Sequence, residues 1–157
     1  MTHHPAVELV ETQLRTSGVG GEVRWLNDSA PTAAAAAAAL GVEVGAIANS
    51  LVFLFDGEPL LVMTSGSHRV DAAWLGDQLG GTIKRADAEA VKRVTGQTIG
   101  GVAPIGHPTP LRTIVDAQLA DYPELWAAAG HAHTVFPLTF DELARITGGD
   151  VRPVAQL

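Results

Sequence analysis

The chain contains no cysteine. Disulfides, thiolate nucleophiles and cysteine-ligated zinc are therefore excluded, and the absence fits a cytoplasmic protein. Aromatic residues are scarce at 5%, which leaves no visible base-stacking platform. Trp74 and Trp126 fall in helix-like segments, where core packing is the expected role. Long apolar runs are missing too. The alanine run at 33–39 is too short and too weakly apolar to span a membrane, and the start Met1-Thr-His-His-Pro5 lacks the basic-then-apolar pattern of a signal peptide. The expectation is a soluble, intracellular chain with no membrane partner.

Positive charge is also short. The formal net charge of −7 argues against broad electrostatic attraction to nucleic acid, though a local basic patch is compatible with it. Lys84, Arg85, Lys92 and Arg93 cluster within one stretch, either as a solvated helix face or as a phosphate-contacting rim beside a pocket.

What is present points to a folded chain. At 157 residues, with 46% hydrophobic and 17% charged residues, it has the size and composition of one ordinary globular domain, expected to span 1–157. Residues 5–17 read as a helix, with Pro5 at its start, Leu9, Val10 and Leu14 on one face and Gly18 beyond its end. Residues 22–26 alternate like a strand. Thr32 is a helix N-cap ahead of the alanine run, which Gly41 closes; so little side-chain bulk implies close packing against a neighbour. Asp56-Gly57 between residues 50–55 and 59–63 signals a hairpin, and strands apolar on both faces belong in the middle of a sheet. Further helices are expected at 70–79, capped by Asp71, and from Asp87 to Gly96. Short strands are expected at 82–84, 111–115 and 134–136. Thr139 and Glu142 form a capping box for a last helix with Leu143 and Ile146 inward and Gly148-Gly149 at its end. The pattern is α+β, without linker or repeat.

The stretch from Thr95 to His107 packs Gly96, Gly100, Gly101, Pro104 and Gly106 between a helix-like and a strand-like segment. Gly100-Gly101-Val102-Ala103-Pro104 is a Gly-rich turn closed by proline. By itself it is either a tight turn or a cradle whose main-chain N–H groups hold a carbonyl or oxyanion.

The motifs occur in a familiar order. They are Thr32-Ala-Ala, residues 45–53 (Gly-Ala-Ile-Ala-Asn-Ser-Leu-Val-Phe), Ser65-Gly66 with Arg69-Val70-Asp71, Thr95-Gly96 leading to Gly100–Gly106, Ile114-Val-Asp116, Ala129-Gly130, and Leu138-Thr139 with Asp141-Glu-Leu143. Together they resemble the YbaK/prolyl-tRNA-synthetase-associated family of aminoacyl-tRNA editing domains. The resemblance implies a single domain with a curved, mixed, largely antiparallel sheet flanked by helices. It also implies hydrolysis of a mischarged aminoacyl-tRNA of the Cys- or Ala-tRNA(Pro) type. The partners are then the tRNA acceptor end and an aminoacyl-tRNA synthetase, with no cofactor. The carbonyl would be held by backbone amides of Gly100, Gly101 and their neighbours, with Pro104 stiffening the loop. Asn49, Ser65, Gly66, Val102, Ala103, Asp116, Gly130 and His133 would contact substrate. Water would attack, helped by the ribose hydroxyl of the substrate itself.

The chain departs from the family pattern in two places. Asn49 stands where the family usually carries a lysine; a neutral amide cannot replace that attraction to phosphate, which opens a second reading as a catalytically impaired binding module. A small-molecule ester hydrolase is a third. Near Gly130 the plain run Ala127-Ala128-Ala129 replaces a small polar residue, and His131 and His133 follow, His133 being the candidate for sizing the amino acid.

Other readings compete at single positions. His131-x-His133 on a strand would present both rings on one face, and with His107 or His68 could ligate a metal, but no carboxylate sits at a helpful spacing. Otherwise His107 is a pocket-rim residue. Ser65-Gly66-Ser67 lacks the context of a serine nucleophile and reads as a turn lining the pocket. Asp116 either orients a group near the loop or caps the next segment.

Overall fold

The computed structural model describes residues 4–27 and 32–155. Local capping chemistry sets where the helices begin. Helix α1 (Pro5–Thr16) carries its proline in the first turn. Thr32, Asp71 and Asp87 each accept a main-chain N–H at the start of α2 (Ala33–Leu40), α3 (Ala72–Leu79) and α4 (Ala88–Thr95). Helix α5 (Phe140–Thr147) opens with the expected reciprocal bonds, Glu142 N–H to Thr139 Oγ1 at 3.1 Å and Thr139 N–H to Glu142 Oε1 at 2.9 Å. Gly41, Gly80, Gly96 and Gly148 end α2 to α5 in the left-handed conformation. On α1 the buried face is Val7, Val10 and Leu14; Leu9, expected inside, is 44% exposed because it lies about 100° round the helix from Val10.

Strands β1 (Arg24–Trp25), β6 (Leu125–Ala127) and β7 (Thr134–Leu138) form one antiparallel sheet in the order β1-β7-β6. The other sheet runs β4-β2-β3-β5-β8, from β2 (Ala48–Phe55), β3 (Glu58–Ser65), β4 (Ile83–Arg85), β5 (Arg112–Asp116) and β8 (Asp150–Arg152). The β2–β3 hairpin turns at Asp56 and Gly57, with φ of 48° and 87°, and both strands are interior to their sheet as their apolar character requires. The β3–β5 and β5–β8 pairs are parallel and the remaining pairs antiparallel, so the strands are mixed and mainly antiparallel. The two sheets meet through an isolated bridge between Ile47 and Trp126.

This α+β arrangement is the expected class, with three differences in detail. Trp126, read as helical, lies on β6, where pairing of Leu125 with Leu138 and Ala127 with Phe136 overrides the helical composition of Leu125–Ala129. Strand β8 and the short 3-10 segments Val44–Ala46 and Ala117–Asp121 were not anticipated. The strand expected at 22–26 is reduced to Arg24–Trp25.

The main core lies under one face of β2, where Val10, Leu14, Val52, Leu61, Met63, Val102, Ala103, Phe136 and Leu143 are buried together. A second cluster around Phe53, Leu60, Leu75 and Ile114 packs α3 against the opposite face. The alanines of α2 permit the close approach they implied: Ala36 and Ala37 pack on Ile47, Trp126 and Val135, at the seam between the sheets.

Candidate functional site

That seam opens into a cleft of 370 Å³. The five-stranded sheet contributes Ala48, Asn49, Ser50, Leu51 and Arg85, the other sheet Trp126, Ala127, Thr134 and Val135, helix α2 Ala33 and Ala36, and the motif loop Ile99, Gly100 and Val102. The cleft exists because β4 pairs only with Phe53–Phe55, leaving the first half of β2 with an open edge. The Val52 carbonyl accepts the Ala86 N–H at 3.1 Å, so strand alternation aims the N–H and C=O of Ser50 toward that open edge.

The motif loop is shaped by specific contacts. The Gly101 N–H donates to the Thr98 carbonyl at 3.0 Å, closing a turn with Gly100 at φ 89°, a position that favours glycine. Gly101 meets a different demand. A Cβ there would sit 2.5 Å from the His131 carbonyl carbon and 2.6 Å from the Ala132 nitrogen, and the Gly101 carbonyl accepts the Gly130 N–H at 2.8 Å. Gln97, 1% exposed, braces the loop from behind: its Oε1 accepts the Ala103 N–H at 2.7 Å, and its Nε2 donates to the Ile105 carbonyl at 3.1 Å and the Gly106 carbonyl at 3.4 Å. His107 Nε2 lies 2.9 Å from the Ala103 carbonyl; burial lowers its pKa, partly opposed by that hydrogen bond.

These contacts narrow the loop amides that are open to a carbonyl. Those of Gly101 and Ala103 are already engaged within the loop. Among the described residues the amides of Gly100 and Val102 have no partner, and both residues line the cleft. Pro104 is buried on the other side of the loop, beside a separate small depression that Gln13 and His107 also line.

Asn49 borders the same cleft as Gly100 and Val102, and among the described residues its carboxamide has no hydrogen-bond partner. The hydroxyl side chains there are occupied. Thr32 Oγ1 caps α2, Ser50 Oγ donates to Met63 Sδ at 3.1 Å, and Thr134 Oγ1 donates to the His131 carbonyl at 2.7 Å. The basic cluster divides. Arg85 lines the cleft, Lys84 on the alternate position does not, Lys92 Nζ donates to the Gly96 carbonyl at 3.3 Å, and Arg93 lines a different cavity. That cavity, of 690 Å³, is larger, but it lies by the β2–β3 turn among Phe55, Pro59, Pro108, Leu111 and Arg112, away from every loop amide described above.

Several residues expected to contact substrate lie outside the cleft lining and hold structural bonds. Ser65 is fully buried; its Oγ donates to the Gly45 carbonyl at 2.8 Å, and a Cβ on Gly66 would collide with the Val44 carbonyl, so this pair seats the Val44–Ala46 turn that leads into β2. Asp116, 1% exposed, takes the capping option. Its Oδ1 accepts the Gln118 N–H at 3.0 Å, and its Oδ2 accepts from the Ser65 N–H and faces His68 Nδ1, each at 3.0 Å. Gly130 has φ 104° and packs on Ala6. His131 and His133 lie in a turn, not on a strand; their rings are 5.3 Å apart, and His133 Nδ1 is 3.2 Å from the Leu26 carbonyl, outside the cleft lining. His131 Nδ1 accepts the His133 N–H at 3.0 Å, and its pKa is lowered by burial and by neighbouring His4 and His133. Among the described residues no three His, Asp or Glu side chains converge to hold a metal ion. Gln97 was missed as a loop brace, since a buried glutamine leaves no periodic signal; Arg85 was named only as one of four residues of a basic cluster, of which it is the one that lines the cleft.

Comparison with known proteins bears on this cleft. Residues 27–146 match the family model described as an aminoacyl-tRNA editing domain. A crystal structure described as a candidate trans-editing enzyme for prolyl tRNA synthetase superposes with a TM-score of 0.91 at 39% identity, covering 99% of each chain. YwhH of Bacillus subtilis (strain 168), itself uncharacterised, is 27% identical over 127 residues, 80% of this chain and 81% of that protein. A proline–tRNA ligase of Geobacter sp. (strain M21) is 28% identical over 99 residues, 62% of this chain but only 17% of the ligase. No described helix is long and apolar enough to cross a membrane. With its motif loop, its seam cleft and the match over 27–146, the chain belongs to the aminoacyl-tRNA editing domain family.

Proposed function

We propose that the chain is a deacylase that hydrolyses the ester of a mischarged aminoacyl-tRNA in the seam cleft, acting apart from the synthetase. The observation that carries this is the pair of unpartnered amides at Gly100 and Val102, on a loop braced from behind by Gln97 and opening into a cleft bordered by Asn49. Donors held rigidly in a site that excludes bulk water stabilise the oxyanion formed when water attacks an ester carbonyl, each worth about 2.7–4 kcal/mol. An aminoacyl ester is already activated, so this suffices without a protein nucleophile. Ser65 and the His68–Asp116 pair lie outside the cleft, and the attacking water is oriented by the ribose hydroxyl of the substrate itself.

The aminoacyl side chain would lie against Ala33, Ala36, Ile47 and Ala127, a small apolar wall that suits alanine or cysteine. Asn49 would hydrogen-bond the terminal ribose. The test is a panel of mischarged tRNAs, tRNA(Pro) carrying alanine or cysteine first. Hydrolysis above background is expected, and it should be abolished by Ala128→Trp, which fills the cleft from a half-buried position. Failure to hydrolyse any member sinks the enzymatic reading. A second reading, a module that binds the acceptor end without turnover, rests on Asn49, a neutral side chain in the cleft at a position where the resemblance implies a lysine. In that case the mischarged tRNA binds in a salt-dependent manner and survives intact, and Asn49→Lys restores turnover.

A further inference from the structure

We infer that Arg85 is the phosphate anchor of the cleft, holding the phosphodiester on the 5′ side of the terminal ribose; this rests on the deacylase reading of the same cleft. Among the described residues lining the cleft Arg85 is the one charged side chain, and no aspartate or glutamate joins it. In a chain of net charge −7, that makes the mouth of this cleft locally positive. Arg85 is also free to act. The His68–Asp116 and Arg152–Asp150 ion pairs do not engage it.

Its position is fixed by the sheet. Arg85 is the last residue of β4, directly opposite Phe53 of β2, and its guanidinium lies 5.9 Å from the Phe53 ring centroid. Such stacking limits side-chain freedom and leaves the planar fork available for a bidentate contact with phosphate oxygens. It borders Ser50 and Leu51 on one side and Ile99 and Val102 on the other, between the open edge of β2 and the motif loop. An ester whose carbonyl rests on the Gly100 and Val102 amides carries its nearest phosphodiester one sugar away, which is where a cation at the cleft rim is needed. The charge absent at Asn49 is thus supplied from the neighbouring strand.

The experiment uses alanine linked through a non-hydrolysable amide to the 3′ position of adenosine, with and without a 5′-phosphate, titrated calorimetrically at low salt. Wild-type protein should bind the phosphorylated probe roughly tenfold more tightly, consistent with charge-assisted hydrogen bonds. Arg85→Gln should reduce that preference to near unity while leaving affinity for the phosphate-free probe within about twofold, and Arg85→Lys should retain part of it. Arg112→Gln, in the other cavity, should leave it unchanged. Arg85 is exposed, so these variants should fold, which circular dichroism verifies. If the phosphate-free probe binds but the phosphate adds nothing, or if the preference survives in Arg85→Gln, the anchor is overturned and the deacylase reading stands. If neither probe binds wild-type protein, both fall together.

Discussion

Replacing Gln97 with methionine removes the brace behind the motif loop while nearly conserving volume. Gln97 is 1% exposed, and the Ala103 nitrogen it holds belongs to a residue with no exposed surface. Methionine leaves that N–H without its acceptor and the Ile105 and Gly106 carbonyls without this donor. Each buried unpaired group costs about 1–3 kcal/mol. The half-buried Ile105 carbonyl can recruit water, so the Ala103 amide carries most of the loss, and a total of about 2–3 kcal/mol is expected. That is a large share of a typical stability of about 5–15 kcal/mol, yet compatible with a folded variant. At roughly 2–4 °C per kcal/mol for a chain of this size, the melting temperature should fall by at least about 4 °C.

Thermal and urea denaturation measure the loss, and amide hydrogen exchange at Ala103 localises it. Gln97→Glu sharpens the test. It keeps the acceptor for Ala103 but turns a carboxylate toward the Ile105 and Gly106 carbonyls, which favours the protonated form in the folded state. Its folded pKa therefore rises above the unfolded value, and the variant should lose stability as pH rises and regain it in acid. A methionine variant with wild-type midpoint and an Ala103 amide as protected as before would refute the reasoning.

Gly101→Ala should cost about 1–3 kcal/mol through forced displacement of the 131–133 turn, with faster exchange at the Gly130 amide; a neutral effect would show that the loop yields freely. Asp116→Ala should destabilise by about 3 kcal/mol or more, since it orphans the Ser65 and Gln118 amides, while ester hydrolysis per folded molecule stays near wild type. His131 has a folded pKa below its ordinary 6.5, so the folded state binds fewer protons there, and the stability it contributes above that value is lost as pH falls through the folded pKa. Urea titrations across this window should show the decline, and His131→Gln should flatten it.

The helices were legible because their signals are local. Thr32, Asp71, Asp87 and the Thr139–Glu142 pair act on amides within the next turn, so sequence alone locates them. Trp126 was misplaced because the partner that makes its segment a strand lies on β7. The Gly100 turn could be read from its own residues, whereas the reason for Gly101 is a peptide thirty positions further on, at His131–Ala132. Lys84 and Arg85 are indistinguishable by composition; alternation on β4 decides which one reaches the cleft, and nothing in the adjacent pair fixes its phase. Ser65, Asp116 and Gly130 belong to the recurring motifs and hold internal hydrogen bonds, a role that motif order cannot separate from substrate contact.

The seam between the two sheets has a consequence for how the cleft comes into being. Its walls are drawn from Thr32 through Val135, and no contiguous piece of the chain carries more than one of them. Closing these long-range contacts carries a loop-closure entropy that only late, cooperative assembly repays. The cleft is therefore expected to form only as the two sheets assemble, which turnover followed alongside a global unfolding signal would check. Any activity housed there switches on and off with the whole fold, which makes turnover itself a gauge of the native population.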